Sequence, residues 1–150
     1  MTYLPSTSAN FVSDTTTATK QDVTGVTVPA PANRVIEFEF RGIVTVAATT
    51  TGVGFGVTIP SGATLVGQTE IQISTTAGTD NVWTAMLTAS DTFSIPTDMA
   101  ATAGSQFICR GRVVTSTTEG SIQLRIDTDA AAAATVAKGV TRRYVDCCAA

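Results

Sequence analysis

The strongest constraint on the fold comes from the segment Ala47–Pro60, AATTTGVGFGVTIP. From position 53 to position 59 every second residue is apolar, and small residues fill the positions between them. Successive side chains of a strand point to opposite faces, so this alternation predicts a strand with one apolar face. A helix is disfavoured, because each glycine would cost about 1 kcal/mol relative to alanine. We therefore predict a core strand of a β-sandwich. Its bare face, at Gly52, Gly54 and Gly56, suits close approach by another strand, layer or subunit.

The same period of two recurs along most of the chain. In Arg34–Val46 the residues Ile36, Phe38 and Phe40 alternate with charged residues, which is typical of an antiparallel strand with one wet face. Turn signals separate such segments at intervals of about ten residues, as in sandwiches and barrels. The other predicted strands are Val23–Val28, Thr64–Thr75, Val82–Thr88, Gln106–Thr115, Ser121–Asp127, Thr135–Val136 and Val140–Val145.

Turns and ends complete the prediction. Pro29–Asn33, Pro60–Gly62 and Gly78–Asn81 predict turns, and Glu119-Gly120 predicts a tight hairpin turn. We expect an all-β chain, an antiparallel, jelly-roll-like β-sandwich with an extended N-terminal arm. The arm covers residues 1–22, and residues 23–150 form a single sandwich domain that ends in a short, free tail from Cys147.

The arm is rich in threonine and serine, and such a segment cannot bury enough apolar area to fold alone. Its sizeable apolar side chains are Tyr3, Leu4, Phe11 and Val12. One interpretation is a disordered tail. The other is an arm whose apolar residues dock on a neighbouring subunit, which makes these four residues and the three glycines candidate protein-interface residues.

Composition disfavours catalysis and nucleic-acid binding. The chain has no histidine, which removes the commonest general base, the histidine-activated nucleophiles and most zinc sites. Charged residues make up 14% of the chain and the net charge is −3, whereas phosphate binding needs a basic patch. We predict no enzymatic activity, no cofactor, no metal, no nucleic-acid partner and no membrane association. The N-terminus has neither a basic region nor an apolar run, so we expect synthesis and retention in a cytosol.

Two pairs of carboxylates could form a site that this prediction excludes. Asp127 and Asp129 share one strand face and could hold a calcium ion, although solvated charges are the ordinary explanation. Glu37 and Glu39 also share a face and could form a glycosidase-like pair, although cross-strand pairing with arginines explains them as well.

Cysteine and tryptophan positions give further expectations. Cys109 lies on the apolar parity of its strand and is expected to be a buried, small apolar residue. Cys147 and Cys148 are expected to be free thiols on the tail, with metal binding or intersubunit disulfides as alternatives. Trp83 is expected in the core, with a sugar-stacking platform as the alternative.

The order of several motifs resembles a β-sandwich domain of tailed-bacteriophage virions. VIEFEFRGIVTVAATTTGVGFGVTIPSGAT at Val35–Thr64 carries the resemblance. It is joined by GTDNVWTAMLTASDT at Gly78–Thr92, EGSIQLRI at Glu119–Ile126 and ATVAKGVTRRYV at Ala134–Val145. Members of that family form trimers, either as small capsid decoration or cement proteins or as terminal domains of tail fibres.

The resemblance implies a homotrimer that binds the major capsid protein on the outer surface of the capsid and stabilises the icosahedral head. The protein would be synthesised in the host cytoplasm and carried in the virion. The short chain favours a capsid role over a fibre, which usually needs a long shaft. The alternative is a tail-fibre or tail-tip receptor-binding module that contacts a surface glycan near Trp83 or Phe93.

Overall fold

A computed structural model describes residues 1–13, 20–48, 51–74, 80–91, 93, 99, 104–129 and 133–150. Within these ranges the chain forms eleven strands, and no part of them is helical. The strands are β1 (Thr2–Leu4), β2 (Phe11–Val12), β3 (Gln21–Ala30), β4 (Arg34–Val46), β5 (Val53–Thr58), β6 (Thr64–Ser74), β7 (Asp80–Leu87), β8 (Ser105–Val114), β9 (Gly120–Thr128), β10 (Ala134–Val136) and β11 (Thr141–Ala149).

The strands form two antiparallel sheets of unequal width, and this confirms the predicted β-sandwich. Sheet A has eight strands. Its main order is β1-β11-β4-β8-β6-β7, and β10 pairs with both β4 and β2 at one end. Sheet B has three strands in the order β3-β9-β5. The narrow sheet packs on one face of the wide sheet, whose other face we call the outer face of sheet A.

Alternation in the sequence decides which side chains fill the space between the sheets. The predicted inward residues Ile36, Phe38 and Phe40 of β4 are buried in one continuous core. Phe55 of sheet B stacks on Phe107 of sheet A, with ring centroids 4.0 Å apart and an interplanar angle of 17°. Both rings are fully buried, so this aromatic pair joins the two sheets at the centre of the core.

Close approach between strands occurs at a pair of glycines that the sequence analysis did not single out. Gly67 of β6 and Gly111 of β8 are register partners. A Cβ atom at Gly67 would lie 2.5 Å from the carbonyl oxygen of Arg110, and one at Gly111 would lie 2.8 Å from that of Val66. Neighbouring backbone cannot move aside as a flexible side chain can, so these two positions require glycine.

The predicted end of the first long strand was too early. β3 continues through Pro29 to Ala30, and Pro29 pairs with Ser121 of β9. Proline is tolerated because β3 lies at the edge of sheet B, where no further strand needs its missing N–H group. The turn that follows places Asn33 at a φ of 55°.

The predicted tight hairpin at Glu119-Gly120 was wrong. β8 belongs to sheet A and β9 to sheet B, so residues 115–119 carry the chain from one sheet to the other. Both strands turn an apolar face to the same core from opposite sides, which a hairpin within one sheet could not do.

The expected free tail was also wrong. β11 continues to Ala149, with Cys148 opposite Val35 and Ala149 opposite Arg34 of β4. The N–H of Ala150 donates to the carbonyl oxygen of Asn33. The last residues of the chain therefore continue the ladder to the start of β4.

The first thirteen residues lie along their own domain. β1 pairs with β11, and β2 pairs with β10. Between them, the Thr7 hydroxyl accepts hydrogen bonds from the N–H groups of Gly139 and Val140. The part of the chain described by the structure contains no helix long and apolar enough to span a bilayer.

Candidate functional site

The four apolar residues of the predicted arm divide into two pairs. Tyr3 and Val12 are 68% and 58% exposed, whereas Leu4 and Phe11 are partly buried against the core. Alternation along β1 and β2 produces this division. Within the described structure, two of the four side chains are thus available for contact with another molecule, and their predicted role as interface residues stays a prediction.

The three candidate glycines have a different environment. Gly52, Gly54 and Gly56 are buried within the single chain. In the register of sheet B, Gly54 lies opposite Asp127 and Gly56 lies opposite Arg125. The bare glycine face is therefore beside two charged side chains of the same sheet, and its predicted contact with another subunit stays a prediction.

Arg125 is the centre of a charge cluster on the outer face of sheet B. Its Nη1 donates to Oδ1 of Asp91 at 2.5 Å, and its Nε lies 2.8 Å from Oδ1 of Asp22. Lys20 adds a second cation, with its Nζ donating to the carbonyl oxygen of Asp91 at 2.8 Å and lying 4.9 Å from the centre of the Phe93 ring. The Arg125 side chain is 19% exposed. Arg125 thus forms its ion pairs with carboxylates of its own chain, although its buried Nε has no hydrogen bond of acceptable geometry among the described residues.

Asp127 and Asp129, the two candidate calcium ligands, lie next to this cluster. Oδ1 of Asp129 accepts a hydrogen bond from the N–H of Gly52 at 2.6 Å. Burial raises the pKa of the Asp127 carboxyl above its usual value. Across the described ranges, no three histidine, cysteine, aspartate or glutamate side chains come together as metal ligands.

The outer face of sheet A carries two neighbouring rows of side chains that cross the strands. In the first row, Arg143 of β11 donates to Glu39 at 2.6 Å, and Arg110 of β8, the register partner of Glu39, donates at 2.7 Å to Glu70, which lies one row further along β6. Arg41 lies 3.8 Å from Glu39 as well. Glu39, one of the two carboxylates weighed as a catalytic pair, is thus engaged by arginines.

The second row is different. Its members, from one strand to the next, are Val145, Glu37, Arg112 and Val66. Glu37 and Arg112 are register partners and both are exposed, yet neither forms an ion pair or a side-chain hydrogen bond with any residue that the structure describes. A shallow depression of about 360 Å³ lies over this row and also contacts Met1.

Exposed apolar side chains extend the same face toward the free edge of sheet A. Val66, Val82 and Met86 are 65%, 67% and 59% exposed. The sequence analysis missed them as a group, although Val82 and Met86 lie on the opposite parity from Trp83, Ala85 and Leu87. The prediction that Trp83 lies in the core was wrong: it shares the parity of the buried Ala85 and Leu87, but it is 37% exposed because β7 is an edge strand.

The three cysteines occupy two kinds of environment. Cys109 is fully buried, as predicted, and burial raises the pKa of its thiol to about 12. Cys147 and Cys148 are free and exposed, but they lie on the strand β11 and not on a loose tail.

No protein-family model matches the chain, and no curated protein matches it significantly. The chain is similar to a solved structure of the CBM22-1 and GH10 modules of a Clostridium thermocellum endo-1,4-β-D-xylanase, with 13% identity and a TM-score of 0.34. That likeness covers 75% of this chain and 17% of the xylanase chain. A structure of the infectious bursal disease virus Gx strain shares 13% identity with a TM-score of 0.20, over 95% of this chain and 37% of the viral chain. This chain therefore spans less than two fifths of either neighbour.

Proposed function

We propose that this chain is a structural protein of a bacteriophage virion that binds the outer surface of the capsid as a decoration, or cement, protein. The observation that supports it most is the outer face of sheet A, because a protein that assembles into a particle needs exposed surface for further protein subunits, copies of itself included. Val66, Val82 and Met86 are each more than half exposed there. Exposed apolar patches on soluble proteins mark surfaces that associate with other molecules. A broad face of this kind suits adhesion between proteins.

Composition supports the same role. Charged residues are only 14% of the chain, against about 25% in typical globular domains. The absence of histidine leaves acid–base and nucleophilic catalysis without their commonest residue. A surface rich in hydroxyl and methyl groups loses less solvation free energy than a charged surface when it is buried against another protein.

The phage and capsid part of the proposal rests on the resemblance carried by Val35–Thr64 and the three shorter motifs. The resemblance implies a homotrimer that binds major capsid protein subunits. Each contact would join neighbouring subunits, and many weak contacts would resist the internal pressure of packaged DNA through multivalency.

Tyr3 and Val12 are the residues we assign to the contact with the shell. Both lie on strands near one side of sheet A and are mostly exposed, so their side chains can be buried without disturbing the core. Deletion of the whole segment would be a poor test. It would also remove β1 and β2 and the hydrogen bonds from residues 139 and 140 to Thr7.

The test is a binding assay on phage capsids that lack this protein. We expect the wild-type chain to bind in many copies and Tyr3→Ser and Val12→Ser to reduce occupancy, with the strand content of the free protein unchanged. Thr118→Ala is the matched control, since Thr118 is exposed in the connection between the sheets. Occupancy of the two arm variants equal to that of wild type would contradict the assignment, and wild-type protein that ignores capsids would contradict the function.

The alternative function, a tail-fibre or tail-tip receptor-binding module, is favoured by one observation. Trp83 is 37% exposed at the edge of sheet A, and an exposed indole can stack on a sugar ring. Copy number separates the two functions. Hundreds of copies per particle indicate decoration, whereas a handful of copies together with binding on a glycan array indicates the tail.

A further inference from the structure

We propose that the part of the outer face of sheet A around Glu37 of β4 and Arg112 of β8 is the contact surface between copies of this chain, with Glu37 of one copy against Arg112 of the next. Tyr3 and Val12 lie at the margin of that face, on β1 and β2, and stay available for the shell. The inference rests on the proposed function for the expectation of a trimer, and it names the face that such a trimer would use. The occupant of the face is a second copy of the chain.

The two charges on this face lack partners where their neighbours have them. In the neighbouring row, Glu39 forms an ion pair with Arg143, and Arg110 forms one with Glu70. Glu37 and Arg112 lie on adjacent strands as register partners, yet no described residue forms an ion pair with either. Both side chains are exposed. The next molecule can therefore pair with them without breaking a contact inside the chain.

The distribution of charge is complementary to itself. In the two rows described above, β4 carries the acidic residues Glu37 and Glu39, whereas β8 carries the basic residues Arg110 and Arg112. Arg41 follows one row further along β4, opposite Ile108, and lies 3.8 Å from Glu39. Consider a rotation axis that lies above the outer face, parallel to the strands and midway between β4 and β8. Rotation about this axis places β4 of one copy opposite β8 of the next. Glu37 then meets Arg112 of the neighbouring copy, and no like charges of this row face each other.

The same rotation matches the apolar ends of the row. Val145 lies beyond Glu37 on one side, and Val66 lies beyond Arg112 on the other. Any cyclic axis in this position brings Val145 of one copy toward Val66 of the next. An apolar rim around a charged pair excludes water and strengthens the pairing.

The face has the size of a small specific interface. A typical interface buries about 800 Å² on each partner, which corresponds to a patch about 28 Å on a side. Strands in a sheet lie about 4.8 Å apart, so the five strands from β11 to β7 in the sheet order span about 19 Å, and the ten residues of β8 run about 33 Å. The face therefore offers about 600 Å², which is the lower end of specific interfaces.

A second copy fits this pattern better than an acidic or a basic partner. A partner of one charge would pair with one strand of the face and repel the other, because acid and base lie on adjacent strands. The face fits only a surface with the reverse order of charge, and this chain supplies such a surface after rotation.

The experiment measures self-association of the purified full chain by analytical ultracentrifugation, with no capsid present. Glu37→Arg makes the row all positive, and Arg112→Glu makes it all negative. Each variant alone should associate at least about tenfold more weakly than wild type, because like charges then face each other across the contact. Glu119→Arg and Lys138→Glu are controls, since both residues are exposed in connections outside this face.

A mixture of the two variants gives the decisive result. The all-positive row of the Glu37→Arg copy then faces the all-negative row of the Arg112→Glu copy, so mixed complexes should form that neither variant forms alone. A two-fold axis predicts full recovery. A three-fold axis predicts partial recovery, because a ring of three must contain one pair of identical neighbours. Circular dichroism of each variant establishes that the fold is retained, and Glu37→Ala and Arg112→Ala replace any variant that fails to fold.

The outcomes separate this inference from the proposed function. Wild-type protein that stays monomeric, or reversed variants that associate as tightly as wild type, would overturn the inference even if the protein binds capsids. Self-association that responds to the charges as described supports the inference even if capsids are ignored, and in that case only the proposed function fails.

Discussion

The outer faces of the two sheets use the same residue types in opposite ways. On sheet B, Arg125 bridges Asp22 and Asp91 and is 19% exposed. On sheet A, Arg112 is exposed opposite Glu37 and pairs with no described residue. Cross-strand position alone therefore does not decide whether an arginine is structural.

The surroundings explain the difference. Sheet B is narrow, and residues on either side of it, at Lys20 and Asp91, fold over Arg125. The main order of sheet A has six strands, twice as many as sheet B, and Arg112 lies on β8 in its interior with a strand on either side. Arg125 therefore has ion-pair partners from segments on both sides of its sheet, whereas Arg112 has only its own sheet neighbours within reach and pairs with none of the described residues.

The largest effect should come from separating the two sheets that carry these faces. Phe55→Ala or Phe107→Ala removes one ring of the stacked pair and leaves a cavity in the core. We expect a loss of about 3–5 kcal/mol in the free energy of unfolding, measured by urea denaturation. Phe55→Leu, which keeps most of the volume, should lose much less. A loss below about 1 kcal/mol for the alanine variants would show that this pair does not join the sheets.

The direct test of the comparison is a matched pair of substitutions, Arg125→Met and Arg112→Met. The first leaves Asp22 and Asp91 without their shared cation, so we expect a loss of about 1–2 kcal/mol. The second removes a side chain without in-chain partners among the described residues, so the change should lie within about 0.5 kcal/mol. Denaturation below the concentration at which copies associate measures both. Equal effects would remove the distinction between the two faces.

The pH dependence of stability gives a further test on sheet B, at the carboxyl of Asp127. Burial raises the pKa of its carboxyl in the folded state, so the folded state holds this proton more tightly than the unfolded state does. The carboxyl therefore lowers stability as the pH rises through the folded-state pKa, and the effect is absent at pH values below the ordinary pKa of aspartate. Asp127→Asn should raise the melting temperature at neutral pH and change little in acid. A lower melting temperature at neutral pH would contradict this interpretation.

The smallest expected effect is a difference in labelling rate among the three cysteine thiols. The pKa of Cys109 is raised to about 12 by burial, so almost none of it is thiolate at neutral pH. A thiol-reactive dye should label Cys147 and Cys148 at once and Cys109 only after unfolding. Cys147→Ser with Cys148→Ser should abolish the fast phase. A third fast thiol in the native protein would place Cys109 at the surface.

Much of the strand pattern followed from the sequence. Arg34–Val46 was predicted at the bounds that β4 has, and the inward parity of Phe107 and Cys109 was correct. The wrong predictions concerned residues whose conformation depends on strands that are distant in the sequence. Pro29 continues its strand because β3 is an edge, and Cys148 is ordered because Val35 lies beside it.

The candidate site was predicted less completely. Tyr3 and Val12 were identified as apolar residues of a polar segment, and the structure leaves them exposed. Glu37 and Arg112 were both placed on outward faces, but no local pattern says that these two strands are neighbours or which residues lie opposite each other. The predicted turn at Gly78–Asn81 was wrong at Asp80 and Asn81, which begin β7 opposite Ser74 and Ile73, and its first two residues lie outside the described residues. Most of Asp91–Met99, which the sequence predicts as a long loop or an edge strand, also lies outside them.

The sequence by itself determined which segments are strands and which of their faces is apolar, because side-chain direction in a strand depends only on the count of residues. Strand order, the unequal width of the two sheets and the pairing of each charge were decided by the tertiary structure. They depend on contacts between residues far apart in the chain, such as Arg125 with Asp22 or Glu37 with Arg112. A period of two orients every side chain, but only the folded sheets decide which of those side chains meet.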